Sequence, residues 1–220
     1  MVEKISAVAF DYGGVLARMI DDSVICHMAD TVGASVDSFR KSLWQLRHDY
    51  DLGVMEAAEY WRKVSVSAGA SWSEDPSAQS ELLETLMHLD AIAYSIFNPG
   101  ILRWIRTLRA AGYRCLMISN MAGETYDLLM RNTLLEQQFE RVILSGWIHI
   151  NKPDPEIFLE AVRQLELNPE EILFLDDLMH NVDGARKVGL RALQFTDTES
   201  LYKELSEQFP QIPRTGLLCE

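Results

Sequence analysis

Cysteine is scarce in this chain of 220 residues, where it occurs only at Cys26, Cys115 and Cys219. The three cysteines are far apart and odd in number, and no Cys-x-x-Cys pair is present. This pattern excludes a disulfide framework and a zinc site built from thiolates. We therefore expect reduced thiols, as in a cytoplasmic protein.

Long hydrophobic runs are also missing. No stretch of about 20 apolar residues occurs, so no transmembrane helix is predicted. The apolar run near the N-terminus is short and stops at Asp11, which does not fit a secretory signal peptide. The composition, 48% hydrophobic and 24% charged, is that of an ordinary globular protein with a sizeable core.

Basic residues are outnumbered, 20 against 33 acidic ones, and the formal net charge is −13. An acidic molecule does not attract nucleic acid or anionic lipid non-specifically, so neither is an expected partner. A small anion could still bind where positive groups converge. The sequence leaves open whether the chain is a monomer or a homodimer.

Apolar periodicity predicts an α/β fold. A buried strand at 5–10 is followed, from residue 97 onward, by alternating helices and strands, with strands at 113–119, 141–144, 171–175 and 191–195. This alternation is typical of a Rossmann-like parallel sheet wound on both faces. We assign residues 1–16 and 97–220 to this core, with a helix around 123–136 and a poorly packed tail from Pro210.

Residues 17–96 have a different pattern, with apolar side chains spaced by three and four, which predicts several amphipathic helices. Inserted after the first strand, they would form a helical cap over the carboxyl edge of the sheet, where ligands bind in such folds. Trp44 and Trp61 are predicted to lie in the core of this helical bundle. Asp51-Leu52-Gly53 is interpreted as a bend. The cap side chains that could contact a substrate are, by their chemistry, Arg18, Arg47, His48, Tyr50 and Arg62.

Polar residues follow the predicted strands where each one ends. Because the carboxyl ends of parallel strands share one edge, these side chains should converge. Clustered carboxylates repel unless a cation lies between them, and oxygen ligands suit Mg²⁺. A lysine and a hydroxyl beside that ion would complete a phosphate site. The residues concerned are Asp11, Ser119, Asn120, Lys152, Asp176 and Asp177.

The same motifs resemble those of the haloacid dehalogenase (HAD) superfamily of hydrolases, which includes many phosphatases of small metabolites with a helical cap. The resemblance covers the whole predicted core and is carried, in chain order, by Phe10-Asp11-Tyr12-Gly13-Gly14, Ser119-Asn120, Lys152-Pro153 and Asp176-Asp177 with Asn181.

This resemblance implies a role for each residue. Asp11 would be the nucleophile that forms an aspartyl-phosphate. Ser119 and the backbone of Asn120 would bind the phosphoryl oxygens, and Lys152 would neutralise charge. Gly14 would let the backbone approach the phosphate. The metal ligands would be Asp11, the Gly13 carbonyl, Asp176 and Asp177.

The chain departs from the phosphatase pattern at Gly13, where the family usually carries an aspartate that protonates the leaving oxygen. Three interpretations follow: a phosphatase for good leaving groups such as sugar 1-phosphates, a metal-independent 2-haloacid dehalogenase, or a binding or regulatory protein without turnover. If no side chain replaces the acid, the rate should fall steeply as the leaving group becomes more basic. Tyr12 and His180 are the replacements nearest in sequence.

Overall fold

The computed structural model describes residues 4–130 and 133–218. Its five strands form one parallel sheet, and they are β1 (Ala7–Phe10), β2 (Arg114–Ser119), β3 (Arg141–Leu144), β4 (Ile172–Asp176) and β5 (Arg191–Gln194). The spatial order is β3-β2-β1-β4-β5, with every pair parallel. The predicted doubly wound Rossmann-like sheet is therefore confirmed, and β1 lies at its centre.

Alternate residues of each strand enter different cores, as the pleat requires. In β1, Val8 and Phe10 belong to the apolar cluster on one face, whereas Ala7 and Ala9 belong to the cluster on the other. Helices cover both faces, so the strands are buried on both sides and are apolar at nearly every position.

Four helices follow β1 in the sequence before the chain reaches the other strands: α1 (Asp22–Val32), α2 (Val36–Asp51), α3 (Ala57–Ser67) and α4 (Pro76–Ala93). They form an apolar core of their own around Leu43, Tyr60 and Trp61. The segments that enter and leave this insertion lie side by side, since Ala17 pairs with Phe97. The domain limits at 16/17 and 96/97 stay a prediction.

The remaining helices alternate with the strands: α5 (Pro99–Ala110), α6 (Gly123–Met130), α7 (Ser145–Ile148), α8 (Pro155–Leu165), α9 (Met179–Lys187) and α10 (Thr198–Gln208). Several helix starts carry side-chain caps, as in α5, where the Asn98 side chain accepts hydrogen bonds from the amides of Gly100 and Ile101. Within the two described ranges, no helix has both the length and the apolar character needed to cross a membrane.

The prediction of a poorly packed tail was wrong for the described part, which ends at 218. Ile212 and Leu217 are buried in the main apolar core. The Trp104 indole donates a hydrogen bond to the Pro213 carbonyl (2.6 Å), and Arg103 Nε donates to the Gly216 carbonyl (3.1 Å). The tail packs on α5 because a buried indole N–H needs an acceptor.

The predicted helix around 123–136 is shorter, since α6 ends at Met130; residues 131 and 132 lie outside the described ranges. Thr133 then forms a local turn in which its hydroxyl accepts a hydrogen bond from the Leu135 amide. Such side-chain turns compete with helical hydrogen bonding. Cys26 and Cys115 are free thiols, and Cys219 lies outside the described ranges.

Candidate active site

The carboxyl ends of β1, β2 and β4 meet at one edge of the sheet, where a cavity of about 220 Å³ opens beneath the inserted helices. Parallel pairing places Phe10 level with Met117 and Leu175. Strand register alone therefore brings together side chains that are far apart in sequence. The residues of the predicted site that line this cavity are Asp11, Gly13, Ser119, Asn120, Lys152 and Asp177.

Lys152 lies between two carboxylates. Its ammonium donates to Asp11 Oδ1 at 2.7 Å and to Asp176 Oδ2 at 2.6 Å. Burial alone would lower the pKa of Lys152, but Asp11 and Asp176 together raise it. Lys152 therefore stays charged although it is buried.

Asp11 lies directly after β1, and its Oδ1 also accepts a hydrogen bond from the Tyr12 amide at 2.6 Å. Within the described residues, no hydrogen bond to Oδ2 is found, so that oxygen is free to react. Burial raises the pKa of the Asp11 carboxyl, Asp176 and Asp177 raise it further, and Lys152 lowers it. Positive charge is therefore needed to keep this group ionised.

The three carboxylates of Asp11, Asp176 and Asp177 can each offer one oxygen within 4.8 Å of the others. Lys152 neutralises only one of their charges, so two negative charges remain. Burial and the neighbouring Asp176 raise the pKa of Asp177, as expected of carboxylates that repel. This donor set fits a divalent cation with oxygen ligands.

Asp176 and Asp177 differ in what their oxygens contact. The Asp176 side chain is buried and accepts from the Leu178 amide, from Asn181 and from Lys152. Asp177 is half-buried and faces the cavity; Gln194 donates to its backbone carbonyl at 2.9 Å, but in the described ranges no side chain forms a hydrogen bond or ion pair with its carboxylate. Asp177 is thus the more available metal ligand, while Asp176 fixes Lys152.

The two residues after β2 also have separate contacts. Ser119 is buried at the cavity wall, and its hydroxyl has no hydrogen-bond partner among the described residues. The Asn120 side chain instead donates to the Lys152 carbonyl (3.0 Å) and accepts from the Lys152 amide (2.7 Å). Asn120 therefore positions the lysine, a role that the resemblance did not assign to its side chain.

Gly14 allows the Asp177 side chain, which follows β4, to lie close to the backbone that follows β1. It adopts φ +76°, and a Cβ atom there would lie 2.5 Å from Asp177 Cγ. Any larger residue would displace this carboxylate. The predicted approach of the backbone to a phosphate at Gly14 stays a prediction.

The inserted helices supply the other wall of the cavity. Five side chains of the predicted cap were candidates for contact with a substrate. Of these, Arg47 lines the cavity. The others do not: Tyr50 is buried among the inserted helices, and the exposed ones are Arg18, His48 and Arg62. The prediction for Trp61, which is fully buried, is confirmed.

The prediction for Trp44 was wrong, because its side chain is 41% exposed at the cavity. Asp51 was missed as a cavity residue. Trp44, Arg47 and Asp51 follow each other at spacings of three and four, so they share one face of α2. That spacing was visible in the sequence.

Tyr12 and His180 are the side chains nearest in sequence that could replace the missing aspartate, but neither is suited to protonate a leaving oxygen. The Tyr12 side chain is buried, and its hydroxyl donates to the Tyr94 carbonyl at 2.9 Å. His180 is exposed and does not line the cavity.

Comparison with known proteins agrees with this geometry. The sequence family described as haloacid dehalogenase-like hydrolase matches residues 5–189. The chain is 25% identical to (S)-2-haloacid dehalogenase 4A of Burkholderia cepacia, over 88% of this chain and 84% of that protein. It is 28% identical to bifunctional epoxide hydrolase 2 of Rattus norvegicus, over 93% of this chain but only 40% of the rat protein.

The fold is shared with a HAD family enzyme from Bacteroides thetaiotaomicron, solved in complex with magnesium and inorganic phosphate. The TM-score is 0.71 at 20% identity, covering 87% of this chain and 94% of that one. With the family match spanning most of the sequence, these likenesses show that the chain is a hydrolase belonging to the haloacid dehalogenase-like family.

Proposed function

We propose that the protein is a Mg²⁺-dependent phosphatase of a small phosphorylated metabolite, working through an aspartyl-phosphate on Asp11. One observation carries this proposal: a free oxygen of Asp11 and the buried Lys152 lie at one small cavity, beside a group of three carboxylates that keeps two net negative charges. The bound magnesium and phosphate of the Bacteroides structure support the same chemistry.

Each side chain has a distinct task in this reaction. The Ser119 hydroxyl and the Lys152 ammonium bind phosphoryl oxygens and orient the ester. Asp11 Oδ2 attacks phosphorus, a P–O bond to Asp11 forms, and the ester P–O bond breaks with release of the alcohol. Water then attacks the aspartyl-phosphate, which frees Asp11 and inorganic phosphate.

The residues that would hold Mg²⁺ are Asp11, Gly13 through its carbonyl, and the pair Asp176–Asp177, of which Asp177 has carboxylate oxygens that no described side chain binds. When bound, the ion offsets the repulsion between a carboxylate and a phosphate dianion. At 4 Å that repulsion is about 4 kcal/mol per pair of unit charges at an effective dielectric of 20.

A 2-haloacid dehalogenase is the second candidate, favoured by the Burkholderia relative. The cavity argues against it, since the two net negative charges of the cluster formed by Asp11, Asp176, Asp177 and Lys152 would, without a metal ion, repel the carboxylate of a haloacid. A protein that binds phosphate without turnover is the third, because Gly13 lacks the usual acid.

Hydrolysis of p-nitrophenyl phosphate with Mg²⁺ and with EDTA separates the three candidates. We expect turnover that requires Mg²⁺ and that falls on the order of 10³-fold or more in Asp11→Asn, which keeps the shape but removes the nucleophile. Halide release from 2-chloropropionate that EDTA does not affect would identify a dehalogenase. No turnover on a phosphoester panel, with Mg²⁺ still raising the melting temperature, would identify a binding protein.

A further inference from the structure

The phosphatase chemistry needs a proton for the leaving oxygen, and Gly13 cannot supply it. The cavity wall offers a limited set of titratable groups among the described residues. Outside the cluster of Asp11, Lys152 and Asp177, these groups are Tyr12, Arg47, Asp51 and Tyr94.

Three of these four are poorly suited. Arg47 does not release its proton in proteins. The Tyr12 hydroxyl is committed to the Tyr94 carbonyl. Burial raises the pKa of Tyr94 well above its ordinary value, so its phenol is a weak acid, and a phenolate would be costly in that environment.

Asp51 is the group that remains, and hydrogen bonds from residues that follow β3 hold its end of α2 in place. It is the last residue of α2, and its carbonyl accepts a hydrogen bond from the Ser145 hydroxyl at 2.5 Å. Two further contacts fix the same end of the helix: His149 Nδ1 lies 3.0 Å from the Leu52 carbonyl, and Asn151 donates to the His48 carbonyl at 3.2 Å. This part of the cavity wall is therefore anchored to α7 and the residues that follow it, directly after β3.

The Asp51 carboxyl is also oriented by its partners. Its Oδ1 accepts from Arg47 Nε at 2.8 Å, and Arg47 Nη1 donates in turn to Asp90 at 2.6 Å. One arginine is thus shared by the carboxyls of Asp51 and Asp90, so this cluster holds one negative charge too many.

Burial, together with the surplus charge, makes a proton on Asp51 accessible near neutral pH. The pKa of Asp51 is raised to about 6: burial raises it most, Arg47 lowers it, Asp90 raises it, and the Ala122 amide facing the carboxyl lowers it. The Asp51 charge also contributes to raising the pKa of the Tyr60 and Tyr94 hydroxyls, which burial raises most. Asp90 lies deeper in the cluster, is buried, and does not line the cavity.

We propose that Asp51, from the inserted helices, replaces the missing aspartate as general acid and base of the phosphatase reaction, an inference that rests on the proposed function. As Asp11 Oδ2 bonds to phosphorus and the ester P–O bond breaks, the Asp51 carboxyl gives its proton to the leaving oxygen. The resulting carboxylate then takes a proton from the water that attacks the aspartyl-phosphate, which restores both groups.

The test is a series of phosphate monoesters with leaving groups of increasing basicity, from p-nitrophenyl through phenyl to an alkyl phosphate. In the wild type, kcat/KM should fall only shallowly along the series. In Asp51→Asn, the alkyl ester should lose on the order of 10²–10⁴-fold. The p-nitrophenyl ester, whose leaving group needs no proton, should lose far less.

Two further variants separate chemistry from structure. Asp90→Asn removes the neighbouring charge that raises the pKa of Asp51, so the decline of kcat/KM for the alkyl ester should begin at lower pH, whereas the p-nitrophenyl ester should keep its profile. Tyr94→Phe leaves the carboxyls of the cluster in place and should show no dependence on the leaving group. A loss in Asp51→Asn that is uniform along the series, or selective loss in Tyr94→Phe, would overturn the assignment.

The wild-type pH profile tests the same idea without a variant. With the alkyl ester, kcat/KM should decline above about pH 6, as Asp51 loses its proton, whereas the p-nitrophenyl ester should not show this step. If both esters share one profile, Asp51 is not the acid. Absence of Mg²⁺-dependent turnover of every ester would instead refute the phosphatase itself.

Discussion

The two walls of the cavity are built on different principles. On the sheet side, the polar residues follow strand ends and contact one another, with Lys152 bridging Asp11 and Asp176. On the helical side, Trp44, Arg47 and Asp51 lie on one face of α2, and Trp44 is 41% exposed.

Because of this difference, the two walls contribute to the site in separate ways. The sheet wall depends on hydrogen-bonded register, so its polar groups are held by the strands of the sheet. The helical wall depends on which face of α2 is turned to the cavity, and changes there alter what the cavity accepts without disturbing the strands. We expect substitutions in the two walls to have different signatures.

The largest effect on stability is expected from Lys152→Met. This change leaves Asp11 and Asp176 buried without a cation, which should cost about 3–5 kcal/mol of unfolding free energy. Urea unfolding followed by circular dichroism measures it. Lys63→Met is the matched control, since Lys63 pairs with Glu59 at 2.6 Å but both side chains are exposed, and it should cost under about 1 kcal/mol. Equal midpoints for the two variants would contradict the buried ion cluster.

An intermediate effect is expected from Gly14→Ala. A left-handed backbone costs an alanine about 1–2 kcal/mol, and the added Cβ must also displace the Asp177 carboxylate. The rise in melting temperature caused by Mg²⁺ should therefore shrink in this variant.

Gly33→Ala isolates the backbone contribution. Gly33 has φ +74°, but nothing lies within 4 Å of the position of its Cβ. This variant should lose similar backbone stability and keep the full response to Mg²⁺. If both variants respond alike, Asp177 does not hold the ion.

The smallest effect on stability is expected from Trp44→Ala, which should stay within about 0.5 kcal/mol because the side chain is exposed. Its effect should appear in the KM for the preferred phosphate ester. Trp61→Ala, by contrast, removes a fully buried side chain and should cost about 3–5 kcal/mol. Denaturant unfolding and steady-state kinetics of both variants decide this; a large stability loss in Trp44→Ala would place that residue in the bundle core.

Much of the sheet wall was predictable from the sequence. Each apolar run that ends in a polar residue marks a strand end, and parallel strands must align these ends at one edge. Asp11, Ser119 and Asp177 could therefore be assigned to one site without coordinates. Lys152 lies farther along the chain, beyond both β3 and α7, and was assigned from the segment that follows that strand.

Only the tertiary structure decided what the remaining residues face. Helical periodicity shows that Trp44 and Trp61 are both candidates for burial, but burial depends on whether another element covers that face, and the cavity leaves Trp44 open. In the same way, a sequence pattern cannot show that Pro213 would accept the Trp104 hydrogen bond, or that Ser145 would hold the end of α2 so that Asp51 reaches the cavity. Local sequence encodes the period of a helix or strand, whereas contacts between residues distant along the chain arise only when the elements pack.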